Sequence, residues 1–460
     1  MFHIATTRHR HVDMLHGPLA GKIFLFSLPL IASGVLQQSF NAVDVAVVGR
    51  YSSTQAIAGV GSNGPVISIL VNLFIGIAVG ANAVIANYLG AKDDDAVRKS
   101  VSTVAVLSLV SGFLLMFLGF FLARPILEAM STPPDVIDLG ERYLKIYFLG
   151  MPFMMIYNFG SAIMRSVGDT SKPFYTLLIA TICNLVLDVL FVSMFSSGVE
   201  AVAWATVISN GVNAGLIVAF LMKESGPVRL VMKRWRVSRK ALGRMLSIGV
   251  PAGLQGMIFS ISNIFIQSAI NSFGSAAVAG SASALTFEAY CYYIISAFCA
   301  ATIAFSGQNY GAGLYARCRR AFAICMMFSV VICGTCNLLI VFNGAKCIGI
   351  ITSDPDVMHY ALIRIRTVLT WQAIASSYEI AGAYMRSFGY SVIPMLITIF
   401  GTCVLRLAWV FIYSGFGHTF NNLLNIYPIS WAITGVLVVT AAMIVSRRAF
   451  ATRPDLSTAD

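Results

Sequence analysis

The chain has 460 residues, of which 58% are hydrophobic and only 11% charged, and its mean hydropathy is +0.81. So little polar surface excludes a soluble globular domain and predicts a chain that lies mostly in lipid. A formal net charge of +12 would point to nucleic acid in a soluble protein. Here the basic residues fill short segments between apolar runs, where they set membrane orientation, so no nucleic-acid partner is predicted.

Residues 1–22 carry Arg8, Arg10, His3, His9, His11 and His16 without a short apolar run before a small-residue cleavage site. This predicts a cytoplasmic tail and not a secretory leader. Twelve apolar runs follow, over 23–49, 56–88, 100–122, 143–163, 174–195 and 201–222, then 246–271, 278–306, 321–343, 361–384, 392–413 and 424–446. Each reaches about 20 residues, enough to cross a hydrocarbon core as a helix. Residues 23–222 thus form an N-terminal lobe of six spans and 246–446 a C-terminal lobe of six. Between them, 223–245 contains Gly226-Pro227 and a basic cluster including Arg229, Arg236 and Lys240, and is predicted to be a cytoplasmic linker. Residues 447–460 are a second tail. With the N-terminus in the cytoplasm, most of the 31 Lys and Arg fall on that side. A multi-pass protein of the cell membrane with both termini cytoplasmic is predicted.

The halves are copies. Met164-Arg-Ser-Val-Gly168 returns as Met385-Arg-Ser-Phe-Gly389, an offset of 221 residues that also relates Pro173 to Pro394, Gly90 to Gly311 and Arg98 to Arg319. Six spans is an even number, so both halves enter the membrane from the same side. The predicted fold is therefore an all-α polytopic protein of two six-helix lobes, related by a pseudo-two-fold axis along the membrane normal. Pro29 in the first span and Pro251 in the seventh hold equivalent places. Each removes a backbone hydrogen bond, which makes them candidate hinges. Gly76 with Gly80, Gly211 with Gly215 and Gly249 with Gly253 place small residues four apart, which lets helices approach closely.

Several motifs point away from enzyme chemistry. Gly59-Val-Gly-Ser-Asn-Gly64 matches a dinucleotide fingerprint but stands at a membrane span with no strand before it, and no phosphate-cradling Gly-x-x-x-x-Gly-Lys-Ser/Thr occurs. The six histidines fall in tails or outer loops. Nine cysteines, an odd number mostly inside apolar runs, argue for small buried hydrophobes, and Cys333-Gly-Thr-Cys336 sits within a span. Neither an enzyme nor a bound cofactor is predicted.

The acidic residues inside the predicted spans are Asp44, Asp188, Glu288 and Glu379, accompanied by one cation, Arg406. Facing lipid, each would cost at least about 2.5 kcal/mol, so each should face the bundle interior or another charge. Gln37, Asn41 and Asp44 are spaced i, i+4, i+7 on one helix face, and Asn184 and Asp188 share a face at i, i+4. Two converging carboxylates in a low-dielectric cavity make a proton acceptor. The same carboxylate and amide oxygens also suit Na⁺, the one metal ion the set could hold. The C-terminal lobe does not repeat the set, because Leu405 and Trp409 stand where Asn184 and Asp188 would and Ile266 replaces Asp44. Instead it offers Glu288 and Arg406, predicted to pair, and Glu379, which aligns with Asn158.

These features resemble the multidrug and toxic compound extrusion (MATE) family of secondary transporters across residues 20 to 446. The resemblance rests on Leu36-Gln-Gln-Ser-Phe-Asn-Ala-Val-Asp44 and its continuation to Arg50, on Arg165-Ser-Val-Gly-Asp-Thr-Ser-Lys-Pro173, on Asn184-Leu-Val-Leu-Asp188, on Gly198-Val-Glu-Ala-Val-Ala-Trp-Ala-Thr206 and on Gly307-Gln-Asn-Tyr-Gly-Ala312. It is strongest to the prokaryotic branch related to DinF. That resemblance implies cation coupling at Asp44, Asn184, Asp188 and the fourth-helix Asn158. The NorM-type branch places an acid on the seventh helix, where this chain has Asn263 and Gln267. Implied is a monomeric antiporter that exports cationic, amphiphilic small molecules in exchange for H⁺ or Na⁺ by alternating access. Two alternatives differ in class. A flippase for a lipid-linked precursor would need a basic cleft, and a membrane-embedded transferase would need a nucleophile or acid/base cluster.

Overall fold

The computed structural model describes residues 11–51, 64–129, 134–194, 198–231 and 236–451. Every described regular element is helical. In the first half these are α1 (Leu19–Tyr51), α2 (Gly64–Gly90), α3 (Asp94–Ala129), α4 (Pro134–Leu149), α5 (Met151–Ser166), α6 (Ser171–Met194) and α7 (Gly198–Lys223). The second half holds α8 (Arg239–Asn271), α9 (Ser275–Gly311), α10 (Tyr315–Phe342), the short α11 (Gly344–Gly349), α12 (Pro355–Thr367) and α13 (Ala375–Ser387). It ends with α14 (Val392–Thr398), α15 (Leu405–Ile412), α16 (Phe420–Leu424) and α17 (Ile426–Ala451). In lipid a backbone must satisfy its own N–H and C=O groups, which is why these apolar runs are helices.

Ten helices among the described residues are long and apolar enough to cross a membrane, and α4 with α5 makes an eleventh span, bent by 47° at Gly150. The run predicted over 361–384 is discontinuous: α12 and α13 are joined by a 3₁₀ turn, Leu369–Ile374. Large apolar side chains such as Phe117, Phe121, Phe342 and Phe411 are exposed on the outside of the bundle, as expected of a surface solvated by acyl chains. Inside, the buried residues separate into two apolar clusters, one centred on each half. The start of α1 crosses over: Leu19, Ile23 and Phe26 belong to the second-half cluster, with Phe26 edge-on to Phe305 of α9.

The copied pentapeptide has a structural role in each half. Gly168 and Gly389 have φ of +91° and +96°, a conformation that favours glycine and stops α5 and α13. Ser166 and Ser387, two residues before, offer their carbonyls across the seam between the halves. Asn87 Nδ2 of α2 donates to Ser387 O at 3.0 Å, and Gln308 Nε2 of α9 donates to Ser166 O at 2.6 Å. These four residues obey the same offset, so the two hydrogen bonds form a clasp with two-fold symmetry. Gly90 and Gly311 complete it, because a Cβ on either would collide with the backbone carbonyl of Gln308 or Asn87 respectively. The clasp lies at the basic end of the bundle, the end predicted to be cytoplasmic.

Above the clasp, α2 and α8 touch backbone to backbone. A Cβ on Gly76 or Gly80 would strike α8 at Gly253 and Met245, and one on Gly249 or Gly253 would strike α2 at Ile77 and Leu73. Two of the three predicted small-residue pairs thus meet each other. Gly215 has open space beside it. Asn72 Nδ2 donates to Ser260 Oγ at 3.0 Å further along the same seam.

Residues 11–18 lie against this closed end. Met14 is buried, and its carbonyl accepts from Asn309 Nδ2 of α9 at 3.0 Å. Val12 N donates to Gly168 O at 3.3 Å, and His11 Nε2 lies 3.2 Å from Glu224 Oε2. Lys172 bridges Glu224 and Asp169. The segment is therefore a strap joined to both halves. Its hydrogen bond to Glu224 raises the His11 pKa against the opposing effect of burial. Burial alone would raise that of Glu224, but His11 and Lys172 outweigh it and lower it to about 2. The His11 contribution is thus complete below about pH 6.5, its ordinary value, and is lost as pH rises through its raised value. Glu224 loses its contribution only in strong acid. Hydrogen exchange over residues 11–18, corrected for the intrinsic rate, should accelerate within the window above about pH 6.5 as His11 loses its proton. In His11→Ala it should be fast throughout that window; a wild-type rate independent of pH would contradict the assignment.

Candidate functional site

In the first half, Asn184 and Asp188 sit one turn apart on α6, both buried, with Asp188 fully so. α6 packs between α1 and α7. Asn158 is half-buried on α5, where its Nδ2 donates to Met154 O at 2.9 Å within its own helix. The bend at Gly150 lies eight residues before Asn158 in the fourth span. Gln37 is exposed on α1. Asn41 and Asp44 fall within the helical backbone of α1, but their side chains lie outside the described residues. Pro29 and Pro251 stand inside α1 and α8, and both helices continue through them.

The second half, joined by Asn72 of α2, lines a cavity of about 550 Å³ between α8, α9, α12, α13, α15 and α17, within the range of small-molecule sites. Its charged lining is Glu288, Arg364, Glu379 and Arg406. The predicted Glu288–Arg406 pair does not form. Glu288 is held by Arg364 of α12 through two parallel bonds, Nε to Oε1 at 2.7 Å and Nη2 to Oε2 at 3.0 Å. Arg364 Nη1 also donates to Ser281 Oγ at 2.8 Å, and Gln372 Nε2 donates to the Glu288 carbonyl at 2.8 Å. A bidentate pair with its remaining donor satisfied is the arrangement in which Coulomb attraction best offsets desolvation. Arg364 lies three residues into the predicted 361–384 span, so the sequence did contain the signal. Reading Arg406 as the sole intramembrane cation overlooks it.

Arg406 is left in a cage of rings. Its guanidinium carbon lies 4.4 Å from the ring centroid of Tyr427, 5.0 Å from Phe259 and 5.9 Å from Trp431. Nε donates to Ser430 Oγ at 3.3 Å and Nη1 to Asn263 Oδ1 at 3.5 Å. Desolvated cation–π contacts contribute about 2 kcal/mol or more. Glu379 of α13 accepts from Tyr292 OH at 3.3 Å. Nearby, Arg386 of the copied motif donates from Nη2 to Gln255 Oε1 at 2.7 Å. Sequence reasoning found Glu379 and Arg406. It missed Tyr292 and the aromatic cage, because aromatic residues are common in membrane helices and only their convergence is informative.

A duplicated helical membrane protein whose halves close on each other at one end, with a cavity lined by aromatic and charged side chains among the helices, has the architecture of a secondary transporter. The MatE family model matches residues 29–190 and 251–412, one stretch in each half. The chain is 28% identical over 424 residues to the probable multidrug resistance protein YoeA of Bacillus subtilis, covering 90% of this chain and 91% of that one. It is 21% identical over 346 residues to the multidrug export protein MepA of Staphylococcus saprophyticus, covering 75% and 76%. Among solved structures, the crystal structure of a MATE protein in a bent conformation superimposes with a TM-score of 0.86 at 21% identity, covering 96% of this chain and 98% of that one. The protein belongs to the MatE family and is a MATE transporter.

Proposed function

We propose that this protein is an antiporter of the cell membrane that exports amphiphilic organic compounds with a cationic end in exchange for H⁺ or Na⁺. The observation that carries this reading is the division of labour between the halves. Asp188 and Asn184 are buried in the first half and have no counterpart in the second, whereas the ligand-sized cavity is lined, apart from Asn72, by the second half. Ion and substrate then bind at different places and communicate through the seam. Cation binding at Asp188 and Asn184, together with Asp44 of α1 and Asn158 of α5, would favour one packing of the first-half helices, and substrate the other. Glu379 is the counter-charge for the cationic end, and the rings around Arg406 receive the apolar body. The basic end, with the strap and the linker, faces the cytoplasm under the positive-inside rule. Pro29 and Pro251 are the hinges, and the monomer is the working unit.

The test is transport by purified protein in proteoliposomes under a pH gradient and a Na⁺ gradient imposed separately. One of the two should drive uphill movement of a fluorescent amphiphilic cation. If neither does, while the cation binds, the antiport reading falls.

A further inference from the structure

We infer that Arg406 and Trp431 form an oxyanion-recognition subsite in the second-half cavity, so that the preferred cargo bears an acidic group as well as a cationic end. This rests on the reading of that cavity as the substrate chamber. Of the four charged residues lining it, Glu288 and Arg364 neutralise each other. The groups that remain to meet a ligand are one carboxylate, Glu379, and one guanidinium, Arg406.

Arg406 is 1% exposed, and no described carboxylate lies within ion-pairing distance of it. Its bonds go to two neutral oxygens, the one to Asn263 being long, and Nη2 has no partner among the described residues. Trp431 Nε1, another buried donor lining the same cavity, also lacks a partner among them. A guanidinium held this way is costly in a low-dielectric site unless its hydrogen bonds are made. The rings of Tyr427, Phe259 and Trp431 offset part of that cost through its faces, and at its edge only Nη2 is left without a partner among the described residues. A carboxylate, sulfonate or phosphate that takes Nη2 and displaces the long bond from Nη1 to Asn263 would meet a planar fork of N–H donors that matches its geometry.

The backbone is built to aim it. Immediately before α15 the helix widens into a π segment, Ile399–Val404, packed against α17 where Thr402 and Thr434 hydroxyls lie 3.0 Å apart. One added residue rotates the downstream helix by roughly 100° about its axis, and such segments are frequent at functional sites. In this register Arg406 points inward while Val404 and Phe411 face outward.

The test uses a rhodamine with a free carboxyl group and its ethyl ester, which share the cationic ring system, with binding measured by fluorescence anisotropy on purified protein. The acid should bind wild type about tenfold more tightly than the ester. Arg406→Gln should weaken the acid by about tenfold or more and the ester by less than about twofold, the scale of a lost charged hydrogen bond. Trp431→Phe, which keeps the ring and removes the donor, should produce a smaller loss confined to the acid. Because the wild-type ratio and Trp431→Phe are informative by themselves, a poorly folding Arg406→Gln does not shield the proposal. Equal losses for acid and ester, or a wild type that binds the ester at least as tightly, would overturn it. Driven transport of the ester but not of the acid would overturn the subsite and leave the export reading standing. Tight acid binding with no driven transport of either dye would do the reverse.

Discussion

Replacing Asp188 with asparagine should reduce ion-driven export by about 5- to 150-fold, the range spanned by coupling free energies of 1–3 kcal/mol, without reducing substrate affinity. Asparagine has nearly the volume and hydrogen-bonding reach of aspartate, so the buried position on α6 should still pack. It lacks a titratable, negative group. At a position as buried as Asp188, a carboxylate has its charge neutralised by a proton or a cation, and an amide binds neither in that way. The measurement is uphill transport in proteoliposomes alongside equilibrium binding of the same dye. Asp44→Asn should behave alike, and the double variant should be no worse than the more impaired single one, since two members of one ion site do not contribute additively. Parental transport rates in Asp188→Asn would show that coupling resides elsewhere, with Glu379 the next acid to examine.

The second large effect is conformational. Gly90→Val or Gly311→Val should force the basic end of the bundle open. A side chain at either position meets backbone on the other half, in place of a flexible side chain that could yield, and overpacking against backbone costs about 1–3 kcal/mol or more. The two-fold clasp makes a further demand: both substitutions should act in the same direction and to a similar extent. Spin labels at Asp94 and Ala316, on opposite sides of the seam in a background without native cysteines, would report the change. Either glycine variant should shift the distance distribution toward longer values. An unchanged distribution in both would mean that the clasp does not hold the halves together.

The duplication, the helical spans and the intramembrane acids were all legible in the sequence, because each follows from local composition or from a fixed offset. The bend at Gly150 and the broken span between Pro355 and Ser387 were less so. Each depends on how a helix is redirected by its neighbours. The copied Met-Arg-Ser-x-Gly motif illustrates the boundary. Its repetition was visible, and its glycine could be suspected of ending a helix, but nothing local reveals that the serine carbonyl accepts from Asn87 or Gln308 in the other half.

Charge pairing lies beyond that boundary. Crossing a bilayer is a property of each segment by itself, so composition together with the fixed repeat offset determined that this chain is a two-lobed helical membrane protein. Which buried charges neutralise each other depends on helix rotation and depth, which change with a single inserted residue such as the π segment before Arg406. Tertiary structure alone assigned Glu288 to Arg364 and left Arg406 among aromatic rings, because at membrane depth a few ångströms decide whether two charges meet each other or meet a ligand.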